Sequence, residues 1–316
     1  MPVAKITRKQ VREFREALQA MPVRRIGDLR TATLPALRDW ANAHPAAKRV
    51  SPATVNKVLG GVQAVVKWAR DNGIIPDDLP WADPFSLDEE APNREPWQFD
   101  ELNVLFGSPV FTQGLRPTAG RGEAAYWLPL LALFTGARLG ELAPLTIADV
   151  TADEVTGIST IKVTEDLEQG RRLKNAGSRR VVPIHPELVR IGFLRFVEEV
   201  RQGGGSKARI FPLLTPGPKG GLGEAWSKWF GRYIRGLGIT NRASVFHSFR
   251  HSFKDALRAA GVSEDVNDAL TGHSGGGVGR SYGAKEMVRR FGLPVLAEAV
   301  GKATYPGLDL SHLRPR

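Results

Sequence analysis

The stretch AAYWLPLLALFTGARLGEL, residues 124–142, joins a very apolar segment to an arginine and a glutamate. Residues 124–134 predict a buried helix, in which Pro129 either causes a kink or belongs to the first turn. A second short helix is predicted over 138–143, and it ends at Pro144. The stretch therefore predicts a buried helix that is followed directly by a short one.

Arg138 and Glu141 lie three residues apart and share one face of the short helix. A buried or half-buried guanidinium requires an anion, and Glu141 is within reach. The pair is either a structural ion pair, or Glu141 holds Arg138 toward a phosphate, which the planar guanidinium fork binds well.

Two runs rich in β-branched residues follow, ISTIKV at 158–163 and RRVVPI at 179–184. A polar, glycine-containing stretch separates them, which predicts strands of a small antiparallel sheet. Lys174 lies in that stretch, where a lysine is usually solvated. After Pro186 the pattern is mostly helical, with a flexible loop predicted over 201–207. The predicted fold class is mainly α with a small antiparallel β-sheet.

The motif HSFRHSF places His247 and Arg250 three residues apart on one helix face, while His251 points elsewhere. Two cations on one face repel each other unless an anion lies between them. The motif therefore suggests a phosphate site.

His273 lies in LTGHS, just after a helix that is predicted to begin near Ser263. Tyr282 follows nine residues later in GRSYG, after the glycine-rich run SGGGVG. A single histidine near a glycine is commonly structural, and a single tyrosine more often packs than reacts. The order and spacing of the whole set carry more weight than either residue.

The first 75 residues predict helices, including one that starts after Ser51-Pro52 and ends at Asn72-Gly73. Its apolar stripe comprises Val55, Val58, Leu59, Val62, Val65, Val66 and Ala69. Basic residues lie elsewhere on this helix, and they form either a solvated face or one that lies on DNA phosphates. The candidate DNA-binding residues are Lys57, Lys67, Arg70 and, in the second block, Arg179.

Charge is distributed unevenly along the chain. Residues 1–75 have 14 Lys and Arg against five Asp and Glu, whereas 76–95 have one Arg against seven acids. A short acidic, proline-rich stretch between basic blocks is typical of a linker. We expect a helical domain over 1–80, whose basic residues make it a candidate for DNA binding, a linker over 81–96 and a second domain over 97–316.

The formal net charge is +11 for 316 residues, which favours polyanionic partners. The chain has no cysteine, so disulfides, thiolate metal sites and a cysteine nucleophile are excluded. The longest apolar run, 127–134, is far shorter than the about 20 residues that span a bilayer, and the N-terminal MPVAKITRKQ lacks the apolar core of a secretion signal. We expect a cytoplasmic, nucleoid-associated protein without a membrane partner.

The motifs TGARLGEL, LKNAGSRRVVPI, HSFRHS and LTGHS, with the tyrosine nine residues after the last histidine, together resemble the tyrosine recombinases, the phage-integrase family. The resemblance covers about residues 1–310, and it is nearest to prophage-type integrases, whose C-terminal ends resemble TYPGLDLSHL at 304–313. It implies a site-specific recombinase or integrase that acts on double-stranded DNA as a tetramer on two DNA sites. Accessory DNA-bending or directionality proteins are compatible partners.

The resemblance also implies roles for single residues. Tyr282 would attack a DNA phosphodiester and leave a 3′-phosphotyrosyl link and a free 5′-hydroxyl. Arg138 and Arg250 would stabilise the transition state, while His247 and His273 would move protons and bond phosphate oxygens. Lys174 would protonate the leaving oxygen, with Lys162, Arg171 and Arg172 as alternatives because Asn175 stands where the family often has threonine. No metal or cofactor is expected.

Two other functions are compatible with these motifs. One is a DNA-binding accessory factor that lacks catalysis, and the other is an enzyme like a type IB topoisomerase. Residues 287–300 form either a helix that docks into a neighbouring protomer or one that closes its own core.

Overall fold

The chain divides into two compact units, Met1–Pro92 and Asn93–Arg316. The predicted domain and linker bounds stay predictions. The computed structural model describes residues 5–75, 85–89, 95–165, 179–218, 220–273 and 284–314.

The described regular structure of the first unit is helical, apart from one isolated β-bridge between Pro22 and Arg49. The prediction for its longest helix is confirmed, because the Ser51 hydroxyl accepts a hydrogen bond from the Thr54 amide and Asn72 ends the helix. Its helices are α1 (Arg8–Gln19), α2 (Leu34–Ala43) and α3 (Pro52–Asp71), with a 3₁₀ turn at Gly27–Arg30.

Only part of the predicted apolar stripe of α3 is buried. Residues one helical repeat apart, such as Val55, Leu59 and Val66, face the core of the unit. Val58, Val62 and Val65 lie on the adjacent face and are exposed. The apolar stripe of seven residues is therefore wider than the face of α3 that packs against α1.

A short segment of the predicted linker is bound to α3. The Asn56 side chain donates a hydrogen bond to the Leu87 carbonyl and accepts one from the Leu87 amide, both at 2.8 Å. It also contacts the Glu89 carboxylate at 2.6 Å. These bonds anchor residues 87–89 within the first unit.

The second unit is mainly helical around one small sheet, so the predicted fold class is confirmed. Its described helices are α4 (Phe99–Phe106), α5 (Pro109–Thr112), α6 (Ala124–Thr135), α7 (Leu139–Leu142), α8 (Pro186–Ile191), α9 (Phe193–Gly204), α10 (Glu224–Gly236), α11 (Ser248–Ala259), α12 (Glu264–Thr271), α13 (Ala284–Phe291) and α14 (Leu293–Gly301), with 3₁₀ turns at Thr118–Gly120 and Ile147–Asp149.

The sheet is antiparallel with the order β1-β2-β3, namely Val150–Ala152, Ser159–Val163 and Arg180–Pro183. Both predicted strands are confirmed, and β1 is an additional strand that three residues could not reveal by alternation. In the register, Ile161 faces Val182 and Val163 faces Arg180.

Helix α6 forms the centre of the core. All twelve of its residues are buried, including Pro129, which lies inside the helix. A second cluster packs β3, α11, α12 and the C-terminal helices together through Val182, Phe253 and Leu270. This second cluster matters for function because the strand and two helices that it joins carry the candidate site.

Two helices replace the single one considered over 287–300. Gly292, with φ of +77°, separates α13 from α14. Met287, Leu296 and Val300 are buried in the second cluster of the same chain. The segment therefore closes its own core.

The loop predicted over 201–207 was partly wrong. Helix α9 continues to Gly204 and ends at Gly205, whose φ is +72°. A helix of 12 residues packed through Phe193 and Val197 offsets the low helix propensity of two glycines at its end.

Candidate functional site

The turn between α6 and α7 places the first arginine of the site. Gly136 ends α6 with φ of +61°, and a Cβ at this position would lie 2.6 Å from Cδ1 of Phe253. Both the backbone conformation and the close approach of the buried Phe253 ring therefore require glycine. The chain leaves this turn through Ala137 and presents Arg138 at the start of α7.

Arg138 is held by Glu141, as both sequence-based alternatives require. Its backbone amide donates to Oε2 of Glu141, and its Nη1 donates to Oε1, both at 2.8 Å. The Arg138 side chain keeps 27% of its surface exposed, whereas Glu141 is buried. Glu141 therefore anchors a guanidinium that still reaches the surface.

A second arginine, which the sequence analysis did not select, binds the same carboxylate. Nη2 of Arg180 donates to Oε2 of Glu141 at 2.7 Å, and its Nε donates to the Leu270 carbonyl at 2.8 Å. Arg180 is only 1% exposed. Although burial opposes it, the charge and hydrogen bond of Arg180 lower the pKa of Glu141 to about 2, so the carboxylate is ionised at neutral pH.

Arg250 lies on the first turn of α11 and is 4% exposed. Its Nη1 donates to the Gly136 carbonyl at 2.9 Å. Its Nη2 is buried and makes no hydrogen bond to the described part of the chain. Burial, reinforced by the charges of Arg138 and Arg180, lowers the pKa of Arg250 to about 9.

The charges of this cluster do not balance. Among the described residues, Arg138, Arg180 and Arg250 influence one another and share the nearby carboxylate of Glu141. Because isolated buried charges are costly, such an excess of guanidinium groups favours binding of an anion. The donors are arginines, whose forked geometry suits phosphate oxygens.

His273 lies beside this cluster, just after α12. Its Nδ1 is 4.0 Å from Oδ1 of Asp268, and the same oxygen accepts a 2.9 Å hydrogen bond from Lys254. Partial burial and the charge of Lys254 lower the pKa of His273, and Arg250 and Arg138 act in the same direction. The His273 side chain is 55% exposed, so its imidazole is accessible, and the lowered pKa favours its neutral form.

His247 occupies the N-terminal cap position of α11, three residues before Arg250. Its carbonyl accepts the Arg250 amide at 3.1 Å, and its ring lies 5.3 Å from the His251 ring in an edge-on arrangement. His247 and Arg250 therefore lie on the same turn at the start of α11.

Two predicted catalytic residues, Lys174 and Tyr282, lie outside the described residues. The other three tyrosines are all used in packing. Tyr126 is buried with its ring beneath the Arg116 guanidinium, Tyr233 donates to Ser108, and Tyr305 donates to the Leu133 carbonyl.

The DNA-binding candidates differ in whether an acidic side chain lies close to their positive charge. Lys67 and Arg70 both lie near Asp71, at 2.8 and 3.8 Å. Arg179 pairs with Glu165 at 3.1 Å, while Lys57 is exposed. Their role in DNA binding stays a prediction.

Two signals in the sequence pointed to the residues that were missed. Arg180 and Val182 are two residues apart on a strand, so their side chains lie on the same face of the sheet. An arginine on that buried face requires an anionic partner. Lys254 lies four residues after Arg250 and therefore shares its helix face.

No protein-family model matches the sequence, and no curated protein matches it. A structure of the Tn1549 transposon integrase in complex with circular intermediate DNA aligns with 87% of this chain and 79% of its own, at 18% identity and a TM-score of 0.54. The same integrase in complex with transposon right end DNA aligns with 86% and 88%, at 19% identity and a TM-score of 0.51. The chain has the tyrosine recombinase fold.

A structure of an integrase from mycobacterium phage Brujita aligns with 98% of this chain and 89% of its own. The identity is 18% and the TM-score 0.43. Within the described ranges, no group of three or more acidic, histidine or cysteine side chains is placed to hold a metal ion. No helix in those ranges combines the length and apolarity needed to cross a bilayer.

Proposed function

We propose that this protein is a site-specific DNA recombinase that cleaves and rejoins DNA strands through a 3′-phosphotyrosine intermediate. The observation that carries the proposal is the cluster of Arg138, Arg180 and Arg250 around Glu141. Its buried and unsatisfied donor, Nη2 of Arg250, is suited to a phosphate oxygen.

DNA as the partner is supported by two further observations. Both Tn1549 integrase structures with this fold are complexes with DNA. The net charge of +11 would also favour a polyanionic partner. The proposed assembly is a tetramer on two duplexes, which would work in the cytoplasm at the nucleoid.

In the proposed reaction, the Tyr282 oxygen attacks the scissile phosphorus and the bond to the 5′-oxygen breaks. Negative charge develops on the non-bridging oxygens, where preorganised donors such as Arg138 and Arg250 stabilise it most. A phenol has an ordinary pKa of about 10, so it needs a nearby base or a strong positive field. His247 and His273 would move protons, and attack by a 5′-hydroxyl of another strand would reverse the step.

Lys174 is the proposed general acid for the leaving 5′-oxygen. The alternative Lys162 is exposed on β2 and pairs with Val181 in the sheet register. Because Arg180 is adjacent to Val181 on β3, Lys162 and Arg180 lie on opposite faces of the sheet. Arg180 faces Glu141, so this placement argues against Lys162 as the general acid.

A suicide substrate tests the proposal. Binding sites would first be selected from random double-stranded DNA, then nicked close to the cleavage position so that the released fragment diffuses away. The wild-type protein should form a covalent protein–DNA adduct, and Tyr282→Phe should form none. Tyr233→Phe is the matched control, because its hydroxyl contacts Ser108 and it should retain the adduct.

The outcomes separate the candidate functions. If the wild type and Tyr282→Phe formed equal amounts of adduct, Tyr282 would not be the nucleophile. Tight binding to the selected sites without any adduct would favour an accessory DNA-binding factor. Relaxation of supercoils without dependence on the selected site would favour topoisomerase activity.

A further inference from the structure

Arg180 connects three parts of the candidate site. Its Nη2 binds the Glu141 carboxylate on α7, its Nε binds the Leu270 carbonyl on α12, and its own backbone belongs to β3. These elements are far apart in sequence, because Arg180 is 39 positions from Glu141 and 90 positions from Leu270. One guanidinium therefore fixes the spacing of three chain segments.

Two of these segments, α7 and α12, lead directly to a candidate catalytic residue. Glu141 uses its other oxygen to hold Nη1 of Arg138 at 2.8 Å. Leu270 lies in the last turn of α12, three residues before His273. The positions of Arg138 and His273 thus both depend on the contacts of Arg180 with Glu141 and with the Leu270 carbonyl.

The guanidinium shape matters as well as its charge. Arg180 uses Nε for one partner and Nη2 for the other, and these atoms lie on one edge of the planar group. A lysine ammonium at this site would keep the positive charge next to Glu141, but it is a single point on a flexible stem. It would satisfy the carboxylate without holding the Leu270 carbonyl in the same geometry.

We propose that Arg180 is a positioning residue, which sets Arg138 through Glu141 and the His273 turn through the Leu270 carbonyl. The inference rests on the proposed function for its link to DNA cleavage. Arg180 itself is almost fully buried, so it does not reach the substrate. Its effect would be on the rate of the chemical step and not on DNA affinity.

Arg180→Lys is the decisive variant, because it retains the charge that Glu141 needs for folding. We expect a melting temperature close to the wild type, unchanged affinity for the selected DNA site and adduct formation slower by about 10- to 100-fold, the range that a misplaced catalytic group costs. Arg195→Lys, an exposed arginine paired with Glu199, is the matched control and should cleave at the wild-type rate.

A second readout does not depend on cleavage. In protein labelled with ¹⁵N-arginine, the Nε–H signal of Arg138, assigned with Arg138→Lys, should shift or broaden in Arg180→Lys and not in Arg195→Lys. A folded Arg180→Lys protein with an unchanged Arg138 signal, or with the wild-type cleavage rate, overturns the inference. If the wild type forms no adduct, the proposed function fails while the Arg138 signal still decides the positioning role.

Discussion

At the scale of single residues, Arg250 shows the strongest conflict between burial and charge. Within the described part of the chain, its guanidinium makes one hydrogen bond, to the Gly136 carbonyl, while the charges of Arg138 and Arg180 repel it. Such a residue costs folding free energy and is expected where a bound anion makes use of it. Burial and the two neighbouring charges lower the pKa of Arg250 to about 9.

Arg250→Met is therefore predicted to separate stability from activity. The uncharged side chain removes the buried and repelled charge, so the free energy of unfolding should equal the wild-type value or exceed it by up to about 2 kcal/mol. Adduct formation should fall by about 10²- to 10³-fold, as for loss of one oxyanion donor. Urea unfolding and suicide-substrate kinetics check the two parts, and a destabilised variant that cleaves normally would contradict both.

Glu141 is predicted to make acid stability depend on pH. Its folded-state pKa of about 2 lies below the ordinary 4.5, so its contribution is present above pH 4.5 and is lost as pH falls toward 2. The difference corresponds to about 3 kcal/mol. Urea unfolding between pH 2 and 5 should show this loss in the wild type.

Glu141→Gln should be less stable by about 3 kcal/mol at pH 7, because it leaves Arg180 buried with a neutral partner, and its stability should vary less with pH over that range. Glu199→Gln, on the exposed pair with Arg195, is the control and should behave as the wild type. Identical pH dependence in wild type and Glu141→Gln would show that the carboxylate is not the titrating group.

At the scale of elements, the site is built where helices and a strand begin or end. Arg138 starts α7, Arg180 starts β3, and Arg250 lies on the first turn of α11. The hydrophobic cluster of Val182, Phe253 and Leu270 packs β3, α11 and α12 together just below these ends. The packing of this cluster therefore sets the geometry of the charged groups above it.

Gly136→Ala is predicted to disturb that packing. The substitution forces alanine to φ of +61° and places its Cβ against the buried Phe253 and Thr271. Together these effects should cost about 2–5 kcal/mol and shift the carbonyl that holds Arg250. Gly157→Ala is matched in φ, at +69°, but meets nothing within 4 Å, so it should cost only about 1–2 kcal/mol. Equal losses in the two variants would exclude the Phe253 contact as the cause.

Lys254 and Asp268 are predicted to influence the pKa of His273, which lies just after α12. Lys254→Met removes a positive charge near His273 and releases Asp268, and both changes should raise the His273 pKa. An NMR titration of the histidine ring protons measures this. Lys302 forms an exposed pair with Glu298, so Lys302→Met should leave the His273 pKa unchanged. A lower His273 pKa in Lys254→Met would contradict the proposed effect of Lys254.

Local signals predicted the elements well but not the contacts between them. Ser51 with Pro52 gave the start of α3, and the β-branched run at 158–163 gave β2 to within one residue, because capping and β-branching act over a few residues. The pairing of Arg180 with Glu141 joins residues 39 positions apart, and a single sequence does not show which of many ions will meet. For the same reason, the apolar stripe of α3 did not show which of its residues would be buried.

At the scale of the whole molecule, the charge of +11 should make DNA binding strongly dependent on salt. We predict that Lys57→Ala lowers affinity for all DNA sequences alike and reduces the slope of log K against log salt by about 1, as expected for one phosphate contact. Lys67→Ala should have a smaller effect because Asp71 already neutralises that ammonium. Fluorescence anisotropy at several salt concentrations measures both slopes, and unchanged slopes would place DNA on another surface.

The central claim is that Tyr282 becomes covalently joined to DNA, and mass spectrometry of the adduct tests it most directly. The wild-type protein would be trapped on a suicide substrate, digested with nuclease and protease, and its nucleotide-bearing peptides sequenced. The predicted result is one modified peptide with a 3′-linked nucleotide on Tyr282. A nucleotide on Tyr126, Tyr233 or Tyr305, or on a residue that is not tyrosine, would contradict the claim.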